Sequence, residues 1–488
     1  MGAKPSQSPE AYFRREPTSG VLYELLAAHL ETFLARSQDD PCKAPLPSYV
    51  VRELTGYLQC GILAYGFSRF RCDRCGTDDL LAFSCKGRGF CPSCGGRRMA
   101  ESAAHLVDHV LPQVPIRQWV ISFPWALRYL LARRPHLLSQ VRRIFLRAVF
   151  GFYKHQSRLA GLHRGRTGAV SRVQRFGSSL NLNPHLQPLV LDGVYCATSP
   201  YSRPVFHDAS DVTQEDVEQL VRTIHARVLR HLERQGFLVD DGTITTSQDE
   251  VQESLLPLFQ AASIRGQSLQ GSEAVERVFR LVPSNQRFRP PNLCAEFDGF
   301  SLHAATRIPA HDRATLEHLC RYIGRPPFSS QSLTLDSTGR VLFQLRRPWR
   351  DGTTQLRFDP LTFLSRLASL VPPPRVHQQT YHGLLAPGDP WRNEVVPAKR
   401  LTTRAAVNPP EPLPKPKRPQ HRYLMAQLMR RVFGFEVLRC SVCRRQRRLI
   451  AVILDRSAIV RILSHLGFEC DPPPIQPARA PPQSEFAF

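Results

Sequence analysis

Residues 71–98 read RCDRCGTDDLLAFSCKGRGFCPSCGGRR and contain two pairs of closely spaced cysteines. Cys72 with Cys75 and Cys91 with Cys94 each have C-x2-C spacing, and 15 residues separate the two pairs. Each pair can present two thiolates to one ion, and two pairs complete a tetrahedral site for Zn²⁺. The spacing therefore predicts a zinc ribbon in which these four cysteines hold one structural zinc.

The other cysteines are harder to assign. Cys85 lies between the two pairs, and we interpret it as a packed core residue. Cys440 and Cys443 form a third C-x2-C pair, which supplies only half a site. This pair is either a turn with two buried thiols or part of a metal site completed by His421, His465 or Cys470. The odd total of 13 cysteines favours metal ligation in a reducing compartment over a disulfide framework.

The charge balance of the chain points to a polyanionic partner. The 488 residues include 65 Lys and Arg against 41 Asp and Glu, a net charge of +24. Nucleic acid is the commonest partner of so basic a chain, and a ribosome-associated or membrane-surface protein is the alternative. No run of 18 apolar residues and no secretory signal are visible. We therefore expect a cytoplasmic protein of about three domains with no membrane contact.

Composition divides the chain into five parts. Residues 408–419 contain six prolines in twelve positions, which predicts a stiff basic linker. The predicted parts are a helical and zinc-ribbon domain (1–111), a mixed helix-and-strand domain (112–407), the linker (408–420), a small C-terminal unit with a C-x2-C pair (421–470) and a disordered tail (471–488).

Two segments of the large middle domain carry candidate chemistry. Residues 182–195 read LNPHLQPLVLDGVY, and on a strand His185 and Gln187 point to the same face. Both side chains can ligate Mg²⁺ or Mn²⁺, although this segment alone favours a packed core histidine. Tyr322 lies in a predicted helix over 312–324, about 110° from the centre of its apolar face. Its hydroxyl can therefore face a cleft.

Several motifs occur in an order that resembles a known family. They are FCPSCG at 90–95 with RR at 97–98, RFG at 175–177, LVLDGVY at 189–195, CRY at 320–322, PWRDGT at 348–353 and YHG at 381–383. Together they resemble the rolling-circle transposases of bacterial insertion sequences, members of the HUH (His-hydrophobe-His) endonuclease class. The resemblance covers most of the chain.

The resemblance implies an α+β fold, with an antiparallel-sheet catalytic domain following the zinc-binding domain. In that family a divalent metal polarises the scissile phosphate and a tyrosine attacks it to give a 5′-phosphotyrosine. Carried over by position, Tyr322 is the nucleophile, and the Mg²⁺ or Mn²⁺ ligands are His185, Gln187 and His303, with His318 as an alternative to His303. The arginines expected to contact DNA are Arg97, Arg98, Arg321 and Arg325.

The sequence departs from the family pattern at two points. Gln187 stands where the family has its second histidine, and the nucleophile segment contains one tyrosine where some relatives have two. The expected activity is cutting and rejoining of single-stranded transposon ends and target DNA, in a protein associated with the nucleoid when bound. The alternatives are an impaired relative that acts as a zinc-dependent DNA-binding protein, and a rolling-circle replication initiator or relaxase.

Overall fold

A computed structural model of the chain describes residues 16–38, 44–199, 202–209, 211–238, 255–266, 276–279, 292–349, 351–397, 428, 431, 438–440 and 442–479. In these residues the fold is mixed α+β, with antiparallel sheets and a cysteine-rich N-terminal region. The predicted linker over 408–420 lies outside the described residues. No helix within the described part is long and apolar enough to cross a bilayer.

The α-helices begin at residues that suit helix starts. Asp312 and Asp359 accept hydrogen bonds from backbone N–H groups of the first turns that follow them, and Pro135 and Pro360 each occupy a first turn. The described α-helices are α1 (Val21–Arg36), α2 (Ser48–Leu58), α3 (Pro92–His109), α4 (Trp125–Arg133), α5 (Pro135–Leu159), α6 (Gln214–Arg234), α7 (Leu255–Arg265), α8 (Arg313–Gly324), α9 (Pro360–Leu370), α10 (Arg392–Val395) and α11 (Arg456–His465).

The strands form antiparallel sheets around which the helices pack. The described strands are β1 (Phe67–Cys72), β2 (Asp78–Ala82), β3 (Ile116–Ser122), β4 (Gly168–Phe176), β5 (Leu182–Leu186), β6 (Leu189–Leu191), β7 (Gly193–Cys196), β8 (Val205–Asp208), β9 (Glu276–Phe279), β10 (Cys294–Phe297), β11 (Phe300–Ile308), β12 (Leu333–Leu335), β13 (Val341–Gln344), β14 (Thr353–Phe358), β15 (Gln379–Gly383) and β16 (Arg447–Ile453).

A seven-stranded sheet lies at the centre, with the order β10-β11-β3-β5-β4-β15 and with β6 beside β3 and β4. One face packs on α4, α5 and α6 through Ile121, Val173, Leu186 and Leu302. The other face packs on α3 and α8, where Val170 and Leu189 meet Cys320 and neighbouring apolar residues. The sheet therefore has two cores, and the helix that carries Tyr322 covers the second one.

The N-terminal helices share a core with a later part of the chain. Phe33 of α1 and Leu54 of α2 belong to the same buried cluster as Phe358 of β14 and Phe363 of α9. The sheet β12-β13-β14-β9 contributes to this cluster as well. The apolar core is thus continuous across the boundary that the sequence predicts at residue 111.

The C-terminal unit adds a strand to the N-terminal sheet. β16 pairs antiparallel with β1, from Phe67 opposite Ile453 to Cys72 opposite Arg447. Ile459 of α11 packs with Leu63 and Phe67. The first part of the predicted disordered tail, residues 471–479, runs along α1. The N–H of Gln476 donates to the carbonyl of Ala27 at 2.9 Å.

Prolines set the start of two long helices. α4 ends at Arg133 and α5 begins at Pro135, and α3 begins at Pro92. Proline lacks the N–H that a continuous helix requires, and it fits the first turn of a new one.

Candidate functional site

Among the described residues, two groups of four cysteines have their sulfur atoms within 4.8 Å of one another. The first group, which we call cluster A, is Cys60, Cys85, Cys91 and Cys94. The second group, cluster B, is Cys72, Cys75, Cys440 and Cys443. Four thiolates at this spacing are a typical ligand set for structural Zn²⁺. The two clusters therefore support two structural zinc sites.

The predicted single site is wrong in its grouping. Cys72 and Cys75 lie at the end of the β1 hairpin, and their sulfur atoms are 3.3 and 3.4 Å from those of Cys443 and Cys440. They do not join Cys91 and Cys94 in one cluster. The physical reason is the pairing of β16 with β1, which brings the C-terminal cysteines to the hairpin.

Cys91 and Cys94 find their partners closer in sequence. The sulfur of Cys94 is 3.5 Å from that of Cys85, and the sulfur of Cys60 is 3.8 Å from those of both Cys91 and Cys94. Cys85 is thus a candidate ligand and not only a packed core residue. Hydrogen bonds from the thiols of Cys60, Cys85 and Cys91 lower the pKa of Cys94, which favours the thiolate that a metal requires.

His185 lies on β5, in the centre of the large sheet. Its Nδ1 is 2.7 Å from the carbonyl oxygen of Asn183, and its Nε2 is 2.7 Å from Nε2 of Gln187. Burial lowers the pKa of His185 to about 4, and the charges of Arg325 and Arg128 act in the same direction. The ring is therefore neutral at pH 7, and both of its nitrogens already have polar neighbours.

Gln187 is 4% exposed and belongs to a chain of amide side chains. Its Nε2 donates to Oε1 of Gln174 at 2.9 Å, and its Oε1 accepts from Nε2 of Gln118 at 3.2 Å. These residues do not fit Mg²⁺ or Mn²⁺, because such ions prefer free oxygen ligands and carboxylates. Nε2 of His185 and Oε1 of Gln187 each already have a polar partner inside the protein, and no carboxylate contacts either side chain within the described residues.

His303 lies on β11, on the same face of the sheet as His185. The neighbouring residues Leu302, Ile121 and Leu186 form one row across three strands and point into the opposite core. Because side chains alternate along a strand, His303 and His185 share the other face. Burial lowers the pKa of His303. The alternative ligand, His318, is exposed on α8.

Tyr322 lies in the last turn of α8, and 47% of it is exposed. The guanidinium carbon of Arg325 is 4.0 Å from the centre of its ring, and that of Arg346 is 5.8 Å away. Nη1 of Arg325 donates to the carbonyl of Tyr322 at 2.8 Å. An accessible phenol therefore lies between two cations on the face that His185 also occupies. Sequence reasoning missed Arg346, since it belongs to the loop after β13.

The other predicted DNA contacts have different surroundings. Arg321 forms an ion pair with Glu317, which also pairs with Arg431, so its charge is used within the protein. Arg98 donates to the carbonyl oxygens of Gly87 and Lys86 at 3.0 and 3.1 Å. Arg97 is exposed on α3.

Comparison with protein families gives two matches. Residues 25–123 match a family model described as "Transposase zinc-binding domain", of the IS91 type. Residues 168–392 match one described as "Putative transposase". These matches support an IS91-type transposase. Comparison with curated proteins and with solved structures gives no match.

The two matches contain different parts of the candidate sites. The transposase match contains the histidine strand and Tyr322, and the zinc-binding match contains all of cluster A. Cluster B takes Cys72 and Cys75 from the zinc-binding match but Cys440 and Cys443 from outside both matches. The C-terminal unit therefore completes a site that the matched domain alone would leave with two ligands.

Proposed function

We propose that the protein is a DNA transposase of the HUH class, which cuts and rejoins single-stranded DNA through a covalent bond to Tyr322. The observation that carries the proposal is the exposed phenol of Tyr322 between Arg325 and Arg346. Its position in the matched transposase domain and the motif order of the sequence support the same activity. Such an enzyme acts on DNA in the bacterial cytoplasm.

In the proposed reaction the oxygen of Tyr322 attacks a backbone phosphorus atom. The new bond joins this oxygen to phosphorus, and the bond from phosphorus to the 3′-oxygen breaks, so the DNA keeps a free 3′-hydroxyl. The phenol loses its proton to water, and the leaving 3′-oxygen takes one up. Rejoining reverses these steps with another 3′-hydroxyl, so no ATP is consumed.

The cations around Tyr322 supply electrostatic stabilisation. Negative charge develops on the phosphate oxygens during the attack, and guanidinium groups held beside that position stabilise it. Arg325 is fixed by its hydrogen bond to the carbonyl of Tyr322, which keeps its charge next to the ring. We assign to Arg325 and Arg346 the phosphate contacts near the nucleophile. We keep Arg97 and Arg98 as proposed contacts to the approaching strand.

The divalent ion that the resemblance implies has less support. His185, Gln187 and His303 share one sheet face, but Nε2 of His185 and Oε1 of Gln187, the atoms that would bind a metal, already have polar partners in the protein. The reaction as proposed therefore relies on the arginines of the chain itself. Gln187→His tests directly whether a divalent ion takes part in the reaction, because it restores the second imidazole of the family pattern.

The serious alternative is a zinc-dependent DNA-binding protein that has lost catalysis at Gln187. This alternative predicts that wild-type protein forms no covalent adduct and that Gln187→His does. The proposed transposase predicts an adduct with wild-type protein and equal or higher yield with Gln187→His. A replication initiator or relaxase would give the same adduct, and the match to a transposase zinc-binding domain favours the transposase.

The experiment that tests the proposed function is adduct trapping with zinc-loaded, full-length protein and single-stranded DNA in Mg²⁺ or Mn²⁺. We expect wild-type protein to yield a species of higher mass that resists denaturant. Tyr322→Phe should abolish this species and keep DNA binding, because it removes only the attacking oxygen. Tyr65→Phe is the matched control and should retain it. An adduct with Tyr322→Phe would refute the assignment of the nucleophile.

A further inference from the structure

A cleft next to Tyr322 has five arginines in its lining. Its walls are the loop over 87–98 around cluster A, the end of β4 and the segment that follows α8. The arginines that line it are Arg88, Arg98, Arg172, Arg175 and Arg325. No ion pair to a carboxylate holds any of these five side chains within the described residues. Positive side chains therefore dominate the lining of the cleft, and the nearby carboxylate of Glu53 acts on Arg88.

Arg175 is the decisive residue of this cleft. It is 7% exposed, and its Nη1 donates to the carbonyl of Ala132 at 3.2 Å. Its Nε and Nη2 are buried and have no hydrogen-bond partner in the described structure. A guanidinium group is always charged in proteins, and burying it without a partner is costly. Arg175 thus brings a buried positive charge with two unsatisfied donors to the cleft wall.

Arg172 lies three residues before Arg175 on β4, and both residues line the cleft. Its contacts to Oε1 of Gln379 and to the carbonyl of Gly324 are both long, at 3.4 Å. The charge of Arg98 also lies near it. Two buried guanidinium groups on one strand, with only neutral acceptors, are an arrangement that an anion with several oxygens would complete.

We propose that this cleft binds a backbone phosphate of the DNA strand that leads to Tyr322. The proposal rests on the proposed function for the identity of the strand. Arg325 connects the two places, because it lines the cleft and also lies 4.0 Å from the ring centre of Tyr322. A phosphate in the cleft is thus close along the strand to the phosphate that reacts. Guanidinium groups match phosphate oxygens in geometry and charge.

Cluster A fixes one wall of this phosphate cleft. Cys91 lines the cleft, and a side-chain carbon added at Gly95 would lie 2.7 Å from Cβ of Pro326. The turn of Cys91 and Cys94 therefore packs directly against the segment after Tyr322. In this arrangement the zinc site holds Arg88 and Arg98 opposite Arg172 and Arg175, which gives the zinc-binding domain a part in substrate binding.

The test uses full-length, zinc-loaded protein that carries Tyr322→Phe, so that binding is measured without reaction. Arg175→Gln should weaken binding of a single-stranded oligonucleotide about tenfold, the loss expected for one charge-assisted contact. The slope of log affinity against log salt should fall by about 0.7, as for one lost phosphate contact on a single strand. Arg158→Gln, which removes an exposed arginine of α5, is the control and should change affinity by less than about twofold.

Thermal unfolding with inorganic phosphate separates an anion site from a structural role. Phosphate should raise the Tm of the parent protein above its value in chloride of equal ionic strength, and Arg175→Gln should lose this increase. In chloride, the Tm of Arg175→Gln should equal or exceed that of the parent, because a buried unpaired charge is removed. A marked drop in chloride would show a structural arginine and would overturn the proposal.

The remaining outcomes are also decisive. If Arg175→Gln loses the phosphate effect but keeps full affinity for the oligonucleotide, the cleft binds free phosphate and the assignment to DNA is wrong. If neither quantity changes, there is no anion site. Absence of a covalent adduct with wild-type protein, together with an intact effect of Arg175→Gln on binding, would refute the proposed chemistry and leave the phosphate cleft standing.

Discussion

At the scale of single residues, Asp192 joins three elements of the large sheet and its helix layer. It is 2% exposed and accepts hydrogen bonds from Arg117 of β3, Tyr153 of α5 and Arg307 of β11, at distances between 2.7 and 3.0 Å. A buried carboxylate with this many donors is satisfied, but its removal leaves the buried charge of Arg117 without a carboxylate and with only the carbonyl of Ala304 as a partner. The sequence shows Asp192 only as part of a motif and gives no sign of these partners.

We expect Asp192→Ala to lower the free energy of unfolding by about 3–5 kcal/mol, the cost of breaking a buried ion pair. Urea unfolding at pH 7 measures this loss. Asp208→Ala is the control, because Asp208 is exposed and also pairs with Arg307. It should cost less than about 1 kcal/mol. Equal losses for the two variants would show that the buried network does not stabilise the fold.

His382 of β15 gives a prediction about pH. Burial lowers its pKa to about 4, and the charges of Arg142 and Arg143 act in the same direction. The unfolded chain, with a histidine pKa near 6.5, therefore binds this proton more readily, and stability falls as the pH drops from about 6.5 towards 4. After a discount for partial exposure, the loss between pH 7 and pH 5 is about 1 kcal/mol.

The variant His382→Gln should lose less stability than wild type over the same interval, by about this amount. Urea unfolding of both proteins at pH 7 and pH 5 gives the comparison. An equal loss in wild type and His382→Gln would mean that another group, and not His382, takes up the proton.

At the scale of elements, the two cysteine clusters show what spacing can and cannot predict. The C-x2-C spacing predicts Cys72, Cys75, Cys91 and Cys94 as zinc ligands, and all four belong to a cluster. Spacing alone pairs these two turns with each other, but in the structure Cys72 and Cys75 meet the distant Cys440 and Cys443, and Cys91 and Cys94 meet Cys60 and Cys85. The number of cysteines was the useful signal, because Cys60 and Cys85 complete cluster A and Cys440 and Cys443 complete cluster B.

Cys440→Ser should reduce the zinc content of the full-length protein from two ions to one. Cluster A should keep its ion, because its four cysteines are unchanged. The strand β16 should become sensitive to protease, because zinc binding supplies folding energy to small domains of this kind. Elemental analysis and limited proteolysis measure the two effects.

Cys470→Ser is the matched control for this prediction. Cys470 follows α11 and belongs to neither cluster within the described residues. The variant should retain two zinc ions and the wild-type digestion pattern. A zinc content of two ions with Cys440→Ser would exclude cluster B as a zinc site.

At the scale of the whole molecule, local elements were predictable and long-range contacts were not. The helix pattern over 312–324 anticipates α8, and its geometry anticipates the exposure of Tyr322. The pairing of β16 with β1 and the core shared by α1 and α9 connect segments hundreds of residues apart. No periodicity in one sequence reports such contacts. The proposed phosphate cleft could not be predicted from the sequence for the same reason, because its arginines come from three separate segments.

The net charge of +24 makes a prediction for the whole chain. Binding to single-stranded DNA should weaken steeply with salt, because each neutralised phosphate releases a counterion. A plot of log affinity against log salt should have a slope of about −0.7 for each contact. Fluorescence anisotropy at several salt concentrations gives the slope. Affinity that stays constant over this range would exclude phosphate contacts as the main source of binding.

The central claim is that Tyr322 becomes covalently joined to DNA, and peptide mapping of the wild-type adduct tests it most directly. The adduct is digested with nuclease and protease, and mass spectrometry locates the residual nucleotide. We predict that the nucleotide is attached through a 5′-phosphate to the oxygen of Tyr322. A nucleotide on any other residue, or no modified peptide after incubation with cleavable single-stranded DNA, would contradict the account.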